Sequence, residues 1–133
     1  MSSFFALETA LDELAESGGV PARRALYRKR ALRIRRVFAD LGFESFTNTG
    51  RESHTISTLR LPDFLTVEAL YAGLKQRGFV IYQCKGELAA RHVQIANMGE
   101  ISDATLDAIL AAVTDVVGAA RPAAVARTSL KSV

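Results

Sequence analysis

Between Ser53 and Tyr82 the hydrophobic period changes twice, and this stretch restricts the possible fold more than any other. From Ser53 to Leu61 the residues alternate, with Ile56 and Thr58 bracketing Ser57 and β-branched side chains throughout, until Pro62 stops the run. A period of two is a strand. The period then lengthens from Thr66-Val67-Glu68. Val67, Leu70, Tyr71 and Leu74 share one helical face, and Gly78 ends that helix. Phe79 to Tyr82 follows as a short apolar strand. If the two strands are parallel, the crossover between them is right-handed.

Two helices are expected ahead of this unit. Phe4, Leu7, Leu11 and Leu14 recur at spacings of three and four over residues 3–17, and Ser17-Gly18-Gly19 closes that segment. Pro21 opens a second helix over 21–42, with Tyr27, Ala31, Ile34, Phe38 and Leu41 as its apolar stripe and Gly42 as its stop. Phe43 begins a short extended stretch, and Asn48-Thr49-Gly50 is a turn signal. After Tyr82, Cys84 to Ala90 makes a connection and His92 to Ala96 a further strand. Ser102 caps a last helix to about Val117, striped with Leu106, Ile109, Leu110 and Val113. The order is helix, helix, strand, helix, strand, strand, helix. That predicts an α+β domain over residues 1–118, with helices packed on a small mixed or mostly antiparallel sheet. Residues 119–133, Ala-rich and unpatterned, are expected to be a loose tail.

The chain has 133 residues, enough for one core and too few for two ordinary domains. No apolar run approaches the roughly 20 residues that span a bilayer. Acids rather than a basic region accompany Phe4 and Phe5, so the start reads as a helix and not a signal peptide. A single cysteine, Cys84, fits a reducing cytoplasm. With two histidines beside it, a closed zinc site is not expected. Charge is uneven: Arg23, Arg24, Arg28, Lys29, Arg30, Arg33, Arg35 and Arg36 face only Asp40 between Pro21 and Gly42. Such a helix could bind nucleic acid. No recognition motif or aromatic platform accompanies it, so the preferred reading is a solvated face, or one turned to an acidic partner domain.

Several segments, taken in order, resemble the C-terminal domain of the 2-aminoethylphosphonate–pyruvate aminotransferases. Glu16-Ser17-Gly18-Gly19-Val20-Pro21-Ala22-Arg23, Tyr27, Leu41-Gly42-Phe43 and Ser53-His54-Thr55-Ile56-Ser57 match that family's text, as do Leu74 to Tyr82 and Ile95-Ala96-Asn97-Met98-Gly99-Glu100. The resemblance covers about Phe4 to Val117 and implies the small domain of a fold-type-I, class V-like enzyme. Such enzymes use pyridoxal phosphate (PLP) to move an amino group from 2-aminoethylphosphonate to pyruvate. Their larger domain carries the cofactor lysine and would precede Met1. Lys29, Lys75, Lys85 and Lys131 match no cofactor-binding position, so no catalytic or cofactor-binding residue is assigned and PLP binding by this chain alone is not expected. The chain reads as a gene fragment of a longer enzyme or a stand-alone remnant. Its expected partner is the missing large domain, or a second copy of itself.

A remnant substrate site is expected at Gln94, His92, Lys85 and Tyr82; His92 enters it only by its place on the strand, and a surface or satisfied strand histidine is the preferred reading there. The family carries an arginine at the position of Gln94, where a planar guanidinium grips the acidic end of the substrate. An amide in its place removes the charge, a change that costs anion binding on the order of 2 to 5 kcal/mol in a desolvated site. His92 shares the strand face of Gln94, whereas Arg91 is three residues away and points elsewhere. Lys85 stands in the turn after Tyr82, where Gln83-Cys84 replaces the family's Pro-Gly. Cys84 reads as exposed there and would be reactive if Lys85 lowered its pKa, although an inert thiol is the preferred reading. His54 reads as structural.

Overall fold

A computed structural model describes residues 2–47 and 50–122. It contains α1 (Ser2–Glu16), α2 (Gly19–Asp40), β1 (Glu44–Ser45), β2 (Ile56–Arg60), α3 (Val67–Gln76), β3 (Tyr82–Gln83), β4 (His92–Ala96) and α4 (Asp103–Ala120), with a 3-10 turn at Gly86–Leu88. The sheet order is β1-β2-β4-β3, and every neighbouring pair is antiparallel. β2 and β3 are therefore not paired, because β4 runs between them. The α+β class stands, and the sheet is antiparallel rather than mixed.

The sheet separates two surfaces. Ser57, Leu59, Val93 and Ile95 point inward and meet Ile34 and Phe38 of α2, Leu70 and Leu74 of α3, and Leu106, Leu110, Val113 and Val117 of α4. Strand residues alternate faces, so Ile56, Thr58, Arg60, His92, Gln94 and Ala96 form the other side. β2 and β4 pair Thr58 with Gln94 and Arg60 with His92. The ladder continues past the strand ends through Asn97 N–H to Thr55 O (3.0 Å) and Leu61 N–H to Arg91 O (2.8 Å).

Two helix ends explain where the strands begin. At the end of α2, Gly42 takes φ 94°. The amides of Gly42 and Phe43 turn back to Ala39 O and Phe38 O. The Phe43 ring then lies edge-on to Phe38, with centroids 4.9 Å apart. This is a Schellman ending with its hydrophobic contact. The end of α3 repeats it, with Gly78 at φ 83° and the Phe79 amide donating to Leu74 O at 3.0 Å. The Phe79 amide thus caps a helix instead of joining the sheet. That is why β3 is only Tyr82–Gln83 and not the Phe79 to Tyr82 strand that the sequence suggested. β2 is shortened for a similar reason: the Ser53 hydroxyl accepts from the amides of Thr55 (3.1 Å) and Ile56 (3.4 Å), forming a local turn.

Other boundaries move as well. α2 starts at Gly19, with Pro21 inside its first turn, where no intrahelical N–H bond is lost. α4 continues to Ala120, beyond the expected boundary at 118. The rest of the expected tail, from residue 123, lies outside the described residues, as do Asn48 and Thr49 of the expected turn. α1 forms as expected, but its stripe has no cover: Phe4 is 78% exposed, and Leu7 and Leu11 are exposed too. Among the described residues no helix is long and apolar enough to cross a membrane.

Candidate functional site

The outer face of the sheet carries three of the four expected site residues. Tyr82 pairs with Gln94 across β3 and β4. Together with Val80, Ala96 and three residues from the inner side, Ile81, Ile95 and Ile109, they line an open cavity of about 220 Å³. Gln94 is already committed, since its Nε2 donates to Thr58 Oγ1 at 3.2 Å, directly across the ladder. His92 lies on the same face, but its ring packs edge-on against Phe46 with centroids 5.3 Å apart. His92 Nδ1 is buried without a hydrogen-bond partner. Lys85 is exposed in the residue before the 3-10 turn and lines neither this cavity nor its rim. Tyr82 and Gln94 therefore come together, His92 sits beside Phe46, and Lys85 stands apart.

Arg91 does not replace the charge absent at Gln94. Its guanidinium donates to Leu61 O (3.1 Å) and to Asp63, which also takes a hydrogen bond from Arg60. This small charge network closes one end of the sheet, and Arg60, the cation on the Gln94 face, is itself paired with Glu44 and Asp63. Cys84 corrects the expectation of an exposed turn. It is 7% exposed, and burial pushes its thiol pKa up rather than down.

The Asn97-Met98-Gly99-Glu100 segment serves the architecture. Arg30 is buried on α2, against the expectation that its arginines are solvated, and it reaches three carbonyls after β4. Its Nη1 donates to Gly99 O (3.0 Å) and Asn97 O (3.4 Å), and its Nη2 to Ile101 O. Asn97, 2% exposed, donates through Nδ2 to Tyr27 O at 2.9 Å. The Tyr27 hydroxyl accepts from Gly99 N–H at 3.3 Å. Nothing in a sequence reading pairs Arg30 with a loop some 70 residues later. Other bases of α2 are paired too: Lys29 with Asp103 and Arg33 with Asp107.

No metal cluster of three or more His, Cys, Asp or Glu occurs among the described residues. Lys29 is solvent-exposed beside Asp103, Lys75 lies 5.9 Å from the Tyr71 ring centroid, and Lys85 is exposed in its turn.

This arrangement of sheet and helices is that of the small domain of fold-type-I aminotransferases. Alanine–glyoxylate aminotransferase from Nostoc superposes with a TM-score of 0.74 at 21% identity, over 86% of this chain and 30% of that one. The subgroup IV aspartate aminotransferase of Thermus thermophilus gives 0.64 at 17% identity, over 71% and 27%. Within that class the sequence points to one family. The 2-aminoethylphosphonate–pyruvate transaminase of Klebsiella pneumoniae is 35% identical over 114 residues, 84% of this chain and 31% of the relative. That of Lysinibacillus sphaericus is 35% identical over 106 residues, 78% and 28%. No protein-family profile matches. The chain is a relative of the 2-aminoethylphosphonate–pyruvate transaminases, corresponding to their C-terminal domain, and it spans under a third of their length.

Proposed function

We propose that this chain is the small domain of a two-part transaminase, active only when a cofactor-bearing domain covers the outer face of its sheet. The observation that supports this is the uncovered surface itself. Ile56, Tyr82 and Val80 are exposed around the half-buried Gln94, and Phe4, Phe5, Leu7 and Leu11 of α1 are exposed as well. Apolar groups gathered in this way on a single chain mark an interaction surface. The reaction is the one its relatives are named for, transfer of an amino group between 2-aminoethylphosphonate and pyruvate, with PLP held by the covering domain. Within that assembly this chain would close the cleft and exclude water, with Tyr82 and Gln94 facing the substrate.

The test is to mix the chain with the separately produced remainder of the Klebsiella relative and follow the mixture by sedimentation velocity. A complex that is lost on Tyr82→Glu is expected. Two species that never associate would sink the proposal. The exposed stripe of α1 favours a second reading, a non-enzymatic interaction module that pairs with its own copy. Under that reading the chain alone dimerises as concentration rises, and Leu7→Lys returns it to monomer.

A further inference from the structure

We infer that a cleft between α2 and the segment leading into β2 binds a small anion with a tetrahedral dianionic head, an organic phosphate or phosphonate. Arg24, Arg28, Leu32 and Arg35 are spaced by four, four and three, which places them on one face of α2. Gly50, Glu52 and His54 line the opposite wall, and the space between is about 640 Å³. That is within the size range of small-molecule sites. It lies on the helix-covered side of the sheet, because Arg35 reaches the inward-facing Ser57, so it is separate from the Gln94 surface.

The groups are arranged to receive charge. Arg35 is held in place: its Nη1 donates to Ser53 O at 3.0 Å and to Ser57 Oγ at 3.4 Å. Among the described residues Arg24 and Arg28 make no ion pair, while Lys29 and Arg33 on the same helix each have one. Glu52 is the acid in the cleft, and it is tied to its own loop. Its Oε2 accepts from Gly50 N–H at 2.8 Å, and the amides of Glu52 and Gly50 hold its pKa below the ordinary carboxylate value. Three guanidinium groups against one carboxylate leave 3 − 1 = 2 positive charges with His54 neutral, which a dianion balances. A carboxylate fills one guanidinium fork. A tetrahedral head offers acceptors in several directions and can meet three. Leu32 supplies an apolar contact for the carbon portion.

The full chain is titrated with glycerol 3-phosphate and, separately, 2-aminoethylphosphonate, following amide NMR shifts and the heat of binding. Saturable binding by at least one is expected, with shifts confined to Arg24–Arg35 and Gly50–Ser57. Comparing the two separates a phosphate-ester ligand from a phosphonate. The Arg24→Gln, Arg28→Gln double variant is expected to weaken binding about 30-fold or more, because each loses a charge-assisted hydrogen bond. Both residues are exposed, and glutamine keeps their helix propensity, so circular dichroism should be unchanged. Arg36→Gln, the loss of one positive charge outside the cleft, should alter affinity less than about twofold. Any of these results overturns the inference: no saturable binding up to about 10 mM, equal binding of succinate, or equal weakening by Arg36→Gln. Tighter binding of a single-stranded oligonucleotide that Arg36→Gln also weakens would make the face a nucleic-acid surface and reject the small-anion site.

Discussion

Replacing Arg30 by methionine keeps a long unbranched side chain and removes three hydrogen bonds from α2 to the loop after β4, leaving those of Tyr27 with Asn97 and Gly99 in place. The carbonyls of Gly99 and Ile101 lose their charged donor, and the longer contact to Asn97 O is lost as well. Hydrogen bonds to charged groups contribute about 1.5–3 kcal/mol each, but three on one side chain are not additive. Burying a guanidinium is itself costly, and a methionine escapes that cost. The net loss expected is therefore about 2–4 kcal/mol, a large part of the roughly 7–20 kcal/mol available to a domain of this size. It should lower Tm by about 10 °C. The assay is urea unfolding followed by circular dichroism, with Lys29→Met as the control. Lys29 is exposed and weakly paired, 3.9 Å from Asp103, so its loss should stay within about 0.5 kcal/mol. If Arg30→Met also stays within about 0.5 kcal/mol, the reasoning fails: the buried guanidinium would not be holding the loop.

Gly73 of α3 faces Val116 of α4 at close range, since an added Cβ would lie 2.8 Å from Val116 Cγ2. Gly73→Ala should cost about 1–3 kcal/mol by overpacking despite alanine's better helix propensity, and adding Val116→Ala should restore part of it; stabilisation by the single change would contradict this. Cys84 should react with a thiol reagent at least about tenfold more slowly in the native chain than in urea at pH 8. Because its native pKa is raised, the unfolded chain loses the thiol proton first, so stability should fall as pH rises past the ordinary thiol pKa. Cys84→Val should flatten that fall in a Tm series from pH 7 to about 10, and an unchanged slope would refute it. The hydroxyl of Ser102 accepts from Thr105 N–H at 3.0 Å and caps α4. Ser102→Ala should cost about 1 kcal/mol in urea unfolding, and Ser102→Asn clearly less.

Much of the fold was legible because its signals are local. β4 occupies His92–Ala96 as alternation places it, and Ser102 and Thr66 cap α4 and α3 as their sequence context suggests. The misreadings arise where a residue serves something distant or competing. Phe79 looks like the start of a strand because it is apolar, yet its amide is used to cap α3. Arg30 looks solvated because its neighbours on the helix are charged, and the carbonyls that receive it come from beyond β4. The candidate site divides the same way. That Gln94 and His92 share a face follows from a period of two, and β pairing adds Tyr82. Only the folded chain shows that Gln94 is bonded to Thr58, that His92 packs on Phe46, and that Lys85 stands apart. The arginine cleft needed His54 and Glu52 to be brought to α2, which no spacing within the helix can reveal.

The central claim is that this chain supplies the small domain of a transaminase. The direct test is alanine formation from pyruvate and 2-aminoethylphosphonate in the presence of PLP, measured for the chain alone and after mixing with the remaining domain of the Klebsiella relative. The account predicts no turnover from the chain alone and alanine production that appears only in the mixture, above that of the added domain by itself. Steady turnover by the chain alone, or a mixture no more active than the added domain, would contradict it.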